Sequence, residues 1–175
     1  MSHFGIQGYR PDWLTDYRFV ARTHGRRLSE LAGRRLTHGW LVWHRTDDEW
    51  FADCPVALDF EGEQVEINHQ KFDELSVTWN TIDPSLPITY REASGDTPLT
   101  WRDDACSRLA AMHGQQLHSV ELFVWNGAES DLATGTVAVS FGFARDRITI
   151  SNALDENRVA FGPPDPAYRC VPLCG

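Results

Sequence analysis

The stretches LSELAGRRL (residues 28–36) and LAAMHGQQL (residues 109–117) decide the predicted fold. Both begin and end with leucine, carry an apolar residue at the fourth position and have glycine at the sixth. Apolar residues at three- and four-residue spacing are typical of a short amphipathic helix. A glycine directly after such a helix favours the left-handed conformation that ends it. Each stretch therefore predicts a helix, over residues 26–32 and 103–113, closed by Gly33 or Gly114.

The similarity continues along the chain and predicts an internal duplication, because several matches follow one another in the same order. The predicted repeats cover residues 25–82 and 106–161, and a linker at residues 83–98 joins them. The further matching segments are WLVW (40–43) with LFVW (122–125), VALDF (56–60) with VAVSF (137–141), VEI (65–67) with ITI (148–150), and residues 73–79 with residues 155–161.

Each repeat is predicted to contain one helix followed by four strands. Alternation of apolar and polar residues, as in VEI, indicates antiparallel sheet with one buried face. The predicted fold class is α+β: a single domain of residues 1–175 with two diverged helix-plus-four-strand repeats related by a pseudo-twofold axis. One curved sheet or two packed sheets would both fit. The predicted strands include residues 37–44, 75–82, 119–126 and 158–161, with hairpin turns at Glu61-Gly62 and near Arg145-Asp146.

Length and composition favour an ordinary globular domain. The chain has 175 residues and 42% hydrophobic residues, enough for a core. No apolar run approaches the roughly 20 residues that span a bilayer, and the first residues do not resemble a signal peptide, so we expect a cytoplasmic protein. The four cysteines do not predict a disulfide framework, and a loose tail with two thiols is favoured at Cys170 and Cys174 over a redox pair or half a metal site.

Charge is distributed unevenly along the chain, whose net charge is −9. Residues 1–45 carry a net charge of +5, residues 46–104 of −12 and residues 105–175 of −2. The acidic total disfavours nucleic-acid binding and favours a basic protein partner. The arginines near the first helix are expected to pair with the acidic segment or to meet an anion; they are Arg26, Arg27, Arg34 and Arg35.

The first candidate binding segment is TDDEWFADCP (residues 46–55), in a predicted loop. It places Asp47, Asp48, Glu49 and Asp53 around Trp50, and an exposed aromatic side chain rimmed by carboxylates is typical of a protein-binding hot spot. The alternatives are a solvated loop whose aromatic side chains fold into the core, and a cation site. The segment lacks the ligand spacing of a calcium loop.

The second candidate is a cluster of His69, Lys71 and Asp73 at the predicted end of a strand. His69 could act as a general base in a groove between the repeats, or its ring could simply bond to neighbouring backbone. The chain contains no serine-hydrolase, phosphate-loop or zinc-protease motif. No catalytic residue, metal ligand or cofactor is therefore assigned.

These observations favour a non-enzymatic acidic binding module that contacts a protein partner, with a basic partner preferred. The alternative is a small-molecule or hydrolytic site in the groove between the repeats that uses His69. Homodimerisation through an open sheet edge is a third interpretation, and neither nucleic acid nor membrane is expected as a partner. In size, acidity and strand-rich composition the chain is similar to small bacterial proteins, including immunity proteins that neutralise toxins; the likeness is compositional.

Overall fold

The computed structural model describes residues 3–173, which form mostly antiparallel β-sheet with two short helices. The helices are α1 (Tyr17–Ser29) and α2 (Ser107–Ala110). The strands are β1 (Trp13–Leu14), β2 (Leu36–His44), β3 (Glu49–Trp50), β4 (Val56–Phe60), β5 (Glu63–Gln70), β6 (Glu74–Trp79), β7 (Arg91–Glu92), β8 (Gly95–Asp96), β9 (Leu99–Arg102), β10 (Leu117–Trp125), β11 (Val137–Phe143), β12 (Arg147–Asn152), β13 (Asn157–Phe161) and β14 (Tyr168–Val171).

Helix α1 begins well before its predicted start at residue 26. The Asp16 side chain caps it by accepting a hydrogen bond from the Arg18 backbone N–H at 2.8 Å. The buried stripe of α1 includes His24 and Gly25, which the apolar pattern does not reveal. Residues 17–24 are therefore helical, although they precede the predicted repeat.

Helix α2 is a single turn, shorter than the predicted 103–113, and Asp103 and Asp104 precede it. Gly33 and Gly114 do adopt the predicted left-handed conformation, with φ of +91° and +86°. In residues 3–173, no helix has the length and apolar character required to span a membrane.

The strands form two main sheets. The larger has the order β1-β6-β5-β4-β2-β3, with β9 on the other side of β2, and the smaller has the order β13-β12-β11-β10-β14. A separate ribbon joins β7 to β8. Every paired strand is antiparallel to its partner, as the alternating pattern predicts.

The two sheets pack face to face over one hydrophobic core. Phe60 of β4 and Phe141 of β11 stack at its centre, with 5.7 Å between ring centroids. Alternate residues of β5 and β12, including Val65 and Ile148, point into the same core. The arrangement is thus two packed sheets and not one curved sheet.

A further layer covers the outer face of the larger sheet. Ile6, Tyr9 and Ile88 form a second apolar cluster there with Ala57 of β4. The predicted linker 83–98 is part of this layer, because it supplies Ile88 and carries the β7–β8 ribbon. The layer also buries Glu66, whose carboxylate accepts hydrogen bonds from the backbone of residues 81 and 82 at 2.6 and 3.1 Å.

The connections that follow the two helices pair with each other. Helix α1 packs on β10, whereas α2 packs on β2. Four backbone hydrogen bonds, each 2.7–3.0 Å long, run between the connections. Gly33 N–H donates to Leu117 O, and Leu117 N–H donates to Arg34 O. Gly114 N–H donates to Leu36 O, and Leu36 N–H donates to Gln115 O.

Strand register refines the predicted alignment of the two halves. The first hairpin turns at Glu61 and Gly62, as predicted. The second turns at residues 144 and 145, near the predicted Arg145-Asp146, and Phe143 N–H donates to Asp146 O at 2.9 Å across it. Leu36 lies opposite Phe60, and Leu117 lies opposite Phe143. The predicted sequence match changes its offset by two residues between VALDF/VAVSF and VEI/ITI, whereas the strand register places this change before β11.

Candidate functional site

The acidic loops lie at one end of the molecule. Strands β2 and β5 flank β4 and are both antiparallel to it, so the loops that follow them, residues 45–48 and 71–73, leave the same edge of the sheet. The turn between β12 and β13 joins this edge, because Lys71 N–H donates to the Asp155 carboxylate. The Asn152 side-chain amide also donates to Lys71 O at 3.1 Å.

Asp53 lies where three acidic segments converge. Burial raises the pKa of its carboxyl, and the charges of Glu156, Asp155 and Glu92 raise it further. Asp53 belongs to the acidic segment identified in the sequence. Glu92, Asp155 and Glu156 were not predicted as part of this site, because they lie far from Asp53 along the chain.

Two large apolar side chains are exposed among these carboxylates. Phe72 is 52% exposed in the turn after β5, and Leu154 is 55% exposed in the turn after β12. Exposed apolar groups beside charged ones mark interaction surfaces. We call this surface the acidic end; it consists of Asp53, Phe72, Asp73, Glu92, Leu154, Asp155 and Glu156.

The backbone at Leu154 is in a conformation that leucine disfavours. Leu154 and Asp155 have φ of +64° and +85°, and Ala153 N–H donates to Glu156 O across the turn at 2.8 Å. Two consecutive positive φ values are typical of a type I′ turn, which prefers Asn-Gly. An L-residue pays roughly 1–2 kcal/mol in the left-handed region. Such strain concentrates at functional sites.

The other acids of the predicted segment lie in the turn between β2 and β3 and are exposed. The Asp47 carboxylate is 3.1 Å from His44 Nδ1. Asp48 accepts a hydrogen bond from Trp43 Nε1 at 2.9 Å. Glu49 begins β3 and pairs with His44 across the ladder.

Trp50 packs partly buried against the main core, and its Nε1 has no hydrogen-bond partner in residues 3–173. Phe51 packs against the second apolar cluster. Both aromatic side chains thus fold towards the interior, so the exposed apolar surface at this end comes from Phe72 and Leu154 instead.

His69 is 2% exposed and bonds within the protein through both ring nitrogens. Nδ1 is 3.0 Å from Asn157 Oδ1, and Nε2 is 3.0 Å from Val137 O. Burial lowers the pKa of the ring, although both hydrogen bonds oppose this effect. Clefts of about 470, 380 and 280 Å³ open on the surface of residues 3–173, and His69 lines none of these three.

Lys71 is exposed, and its ammonium group contacts Glu74 Oε1 at 2.9 Å. This hydrogen bond is the main reason that the pKa of Lys71 is raised. Glu74, in the same hairpin, therefore compensates the charge of Lys71. The backbone N–H of Lys71 bonds to Asp155 in the turn between β12 and β13.

The arginines near α1 do not pair with the acidic segment, contrary to the expectation from the sequence. Arg26 contacts Glu30 at 3.0 Å, and Arg27 contacts Glu63 at 2.7 Å. Glu63 is the first residue of β5, whereas the acidic end adjoins the last residue of that strand. The arginines near α1 and the acidic end therefore lie roughly 25 Å apart, the length of eight extended residues.

The cysteines and acids do not build a metal centre in the part of the chain that the structure describes, where no three metal-ligating side chains converge. Cys54 is buried, and burial raises the pKa of its thiol. Cys170 is exposed on β14, whereas Cys174 lies outside the described residues.

No protein-family model, curated protein or solved structure matches this chain. Its function is therefore inferred from geometry and charge alone. The acidic end is the candidate functional site, because it combines exposed apolar groups, strained backbone and several carboxylates.

Proposed function

We propose that this chain is a non-enzymatic binding module that contacts a basic protein partner through its acidic end. The observation that carries the proposal is the exposure of Leu154, on a turn that leucine disfavours, near Phe72 and several carboxylates. A binding role explains why an apolar side chain is kept at a strained, solvent-facing position.

The charges of the acidic end support a basic partner. Within residues 3–173, none of its five carboxylates forms an ion pair with a side chain, whereas Glu30 and Glu63 at the other end are paired with arginines. Unpaired like charges repel one another, and a basic surface would relieve that repulsion. Complementary charge would also speed association and make it sensitive to salt.

The apolar side chains would supply the central contact. Covering the exposed half of Phe72 or Leu154 contributes about 1 kcal/mol each by area. Carboxylates around an apolar centre resemble the rim of an interface. The ring of His69 supports a non-enzymatic role, because both its nitrogens are already bonded inside the protein.

We propose further that the two halves arose by duplication and are related by a pseudo-twofold axis. The shared strand order β6-β5-β4-β2 and β13-β12-β11-β10 supports this, as do the four reciprocal hydrogen bonds of the helix connections. In that case the turns bearing Phe72 and Leu154 are equivalent, and both copies contribute residues to the acidic end.

The test begins with the immobilised chain and an extract of the source cells. A protein that is retained and released by salt is identified, purified and titrated by calorimetry. We expect a basic protein whose affinity falls at least tenfold between 50 and 300 mM salt. The double variant Phe72→Ser, Leu154→Ser should weaken binding by a further tenfold or more.

A matched control is Phe19→Ser, which removes an exposed aromatic side chain from α1, outside the acidic end. It should leave affinity unchanged. The proposal is wrong if the retained protein binds the double variant as tightly as the original chain, or if salt has no effect. Equilibrium sedimentation of the chain alone shows whether a second copy occupies the surface instead.

A further inference from the structure

A second potential site lies on the outer face of the five-stranded sheet, away from the core. Strands β13 and β14 form opposite edges of this sheet, yet only residues 162–167 connect them. This connection, here called the strap, contains Pro163, Pro164 and Pro166. The strap and the outward-facing residues of β12 and β13 line one cleft of about 280 Å³.

The floor of the cleft is small and polar. Thr149, Ser151 and Ala160 alternate with core residues along β12 and β13, so they face outward, beneath the strap. The Thr149 hydroxyl is bonded to Ser140 Oγ at 2.8 Å. Ser151 is only 6% exposed, and its hydroxyl makes no hydrogen bond with any residue of 3–173. A hydroxyl without a protein partner at the floor of a cleft is available to a ligand.

One wall of the cleft is aromatic and held in place. The rings of Trp125 and Tyr168 pack edge to face, with 4.9 Å between centroids. Trp125 Nε1 donates to Asp131 Oδ2 at 2.7 Å, which fixes the indole. Pro163 and Pro164 of the strap line the same cleft, and their rings are conformationally restricted. Such walls suit a flat apolar group.

The cleft also contains a cation without a partner. Arg158 pairs with Ser151 across the β12–β13 ladder, and its guanidinium forms no ion pair or hydrogen bond with the described residues. Asp165 also lines the cleft, and its carboxylate accepts the Ala167 N–H at 2.9 Å within the strap. One arginine and one aspartate leave no net positive charge, which disfavours a dianion such as phosphate.

We propose that this cleft binds a small aromatic carboxylic acid. The carboxylate would accept hydrogen bonds from the Arg158 guanidinium and the Ser151 hydroxyl. The ring would lie between Trp125, Tyr168, Pro163 and Pro164. The volume supports a small ligand, because it is just below the roughly 300–1,000 Å³ of sites for drug-sized molecules. This site is independent of the acidic end.

The test is an NMR titration of the ¹⁵N-labelled protein with benzoate and with benzamide, which has nearly the same shape but no charge. We expect saturable shifts for residues 149–168 with benzoate, and affinity about tenfold or more lower for benzamide, because a charged hydrogen bond is lost. Inorganic phosphate should bind more weakly than benzoate.

Arg158→Gln should reduce the affinity for benzoate to that for benzamide, and Ser151→Ala should reduce it several-fold. Arg145→Gln is the matched control, because Arg145 is exposed in the β11–β12 turn outside the cleft. The spectra also report whether each variant is folded. The proposal is overturned if no shifts saturate, if benzamide or phosphate binds as tightly as benzoate, or if Arg158→Gln behaves like Arg145→Gln.

Discussion

Asn157 of β13 in the smaller sheet forms hydrogen bonds with His69 of β5 in the larger sheet, and so links the two sheets. Its Oδ1 lies 2.9 Å from the backbone nitrogen of His69 and 3.0 Å from ring Nδ1. Its Nδ2 donates to Cys54 O at 2.9 Å and to Asn68 Oδ1 at 2.7 Å. Since Asn157 follows Glu156 and Cys54 follows Asp53, this buried junction also positions the acidic end.

Replacing Asn157 should therefore be strongly destabilising. Asn157→Ala leaves several buried donors and acceptors unpaired, and we expect the free energy of unfolding to fall by about 3 kcal/mol or more. Urea denaturation measures the loss. Asn152→Ala is the control: its amide bonds to Gln70 O and Lys71 O near the surface, and should cost about 1 kcal/mol. Equal losses for the two variants would contradict a special role of Asn157.

Stability should fall as the solution is acidified below about pH 6.5, the ordinary pKa of histidine. Burial lowers the pKa of folded His69, so the unfolded chain takes up a proton first, and each step down in pH then favours unfolding. The loss continues until pH reaches the lowered pKa of the folded state. His69→Gln should flatten this slope when urea midpoints are compared between pH 5 and pH 8.

Part of the pH dependence of stability should persist in His69→Gln, because burial also lowers the pKa of His3, His24 and His113. A His113→Gln variant serves as the control, since its ring is less completely buried than that of His69. An unchanged slope in His69→Gln would contradict the prediction.

Leu154→Asn should stabilise the protein while weakening partner binding. Asparagine tolerates the left-handed conformation, so the change relieves about 1 kcal/mol of backbone strain and keeps the Asp155 bond to Lys71. Thermal unfolding and partner titration measure the two effects. Leu132→Asn, at an exposed leucine whose φ is not positive, should bring no such gain. A less stable Leu154→Asn variant, or one with unchanged binding, would count against a functional Leu154.

Gly33→Ala and Gly114→Ala should destabilise the protein by similar amounts, about 1 kcal/mol each. Both glycines have positive φ, and an added Cβ would meet no described atom within 4 Å, so strain is the only expected cost. If the two glycines occupy equivalent positions of a duplicated unit, both variants should lose the same free energy of unfolding, as measured by urea denaturation. A loss for one glycine more than twice that for the other would argue against equivalence.

Local patterns in the sequence predicted the eight strands assigned to the two repeats, but not β1, β3, β7, β8, β9 or β14. Strand β2 was predicted at residues 37–44 and spans Leu36–His44, because alternation and turn residues act over a few positions. The start of α1 was missed, since its buried stripe uses His24 and Gly25 in place of apolar side chains. The acidic end was predicted only in part: Asp53 belongs to an acidic run in the sequence, but Leu154 belongs to no such run. Its signal was an apolar residue at the tip of a polar turn.

The sequence by itself determined the element types, the antiparallel pairing and the left-handed glycines, because these depend on neighbours a few residues apart. Only the tertiary structure decided that the halves form two sheets, that His69 and Glu66 are buried, and that Asp53 meets Asp155 and Glu156. Those outcomes depend on contacts between residues that lie from 15 to 103 positions apart. Their physical cause is the packing of one sheet on the other and, for Glu66, of the outer layer on the larger sheet. No local pattern records either.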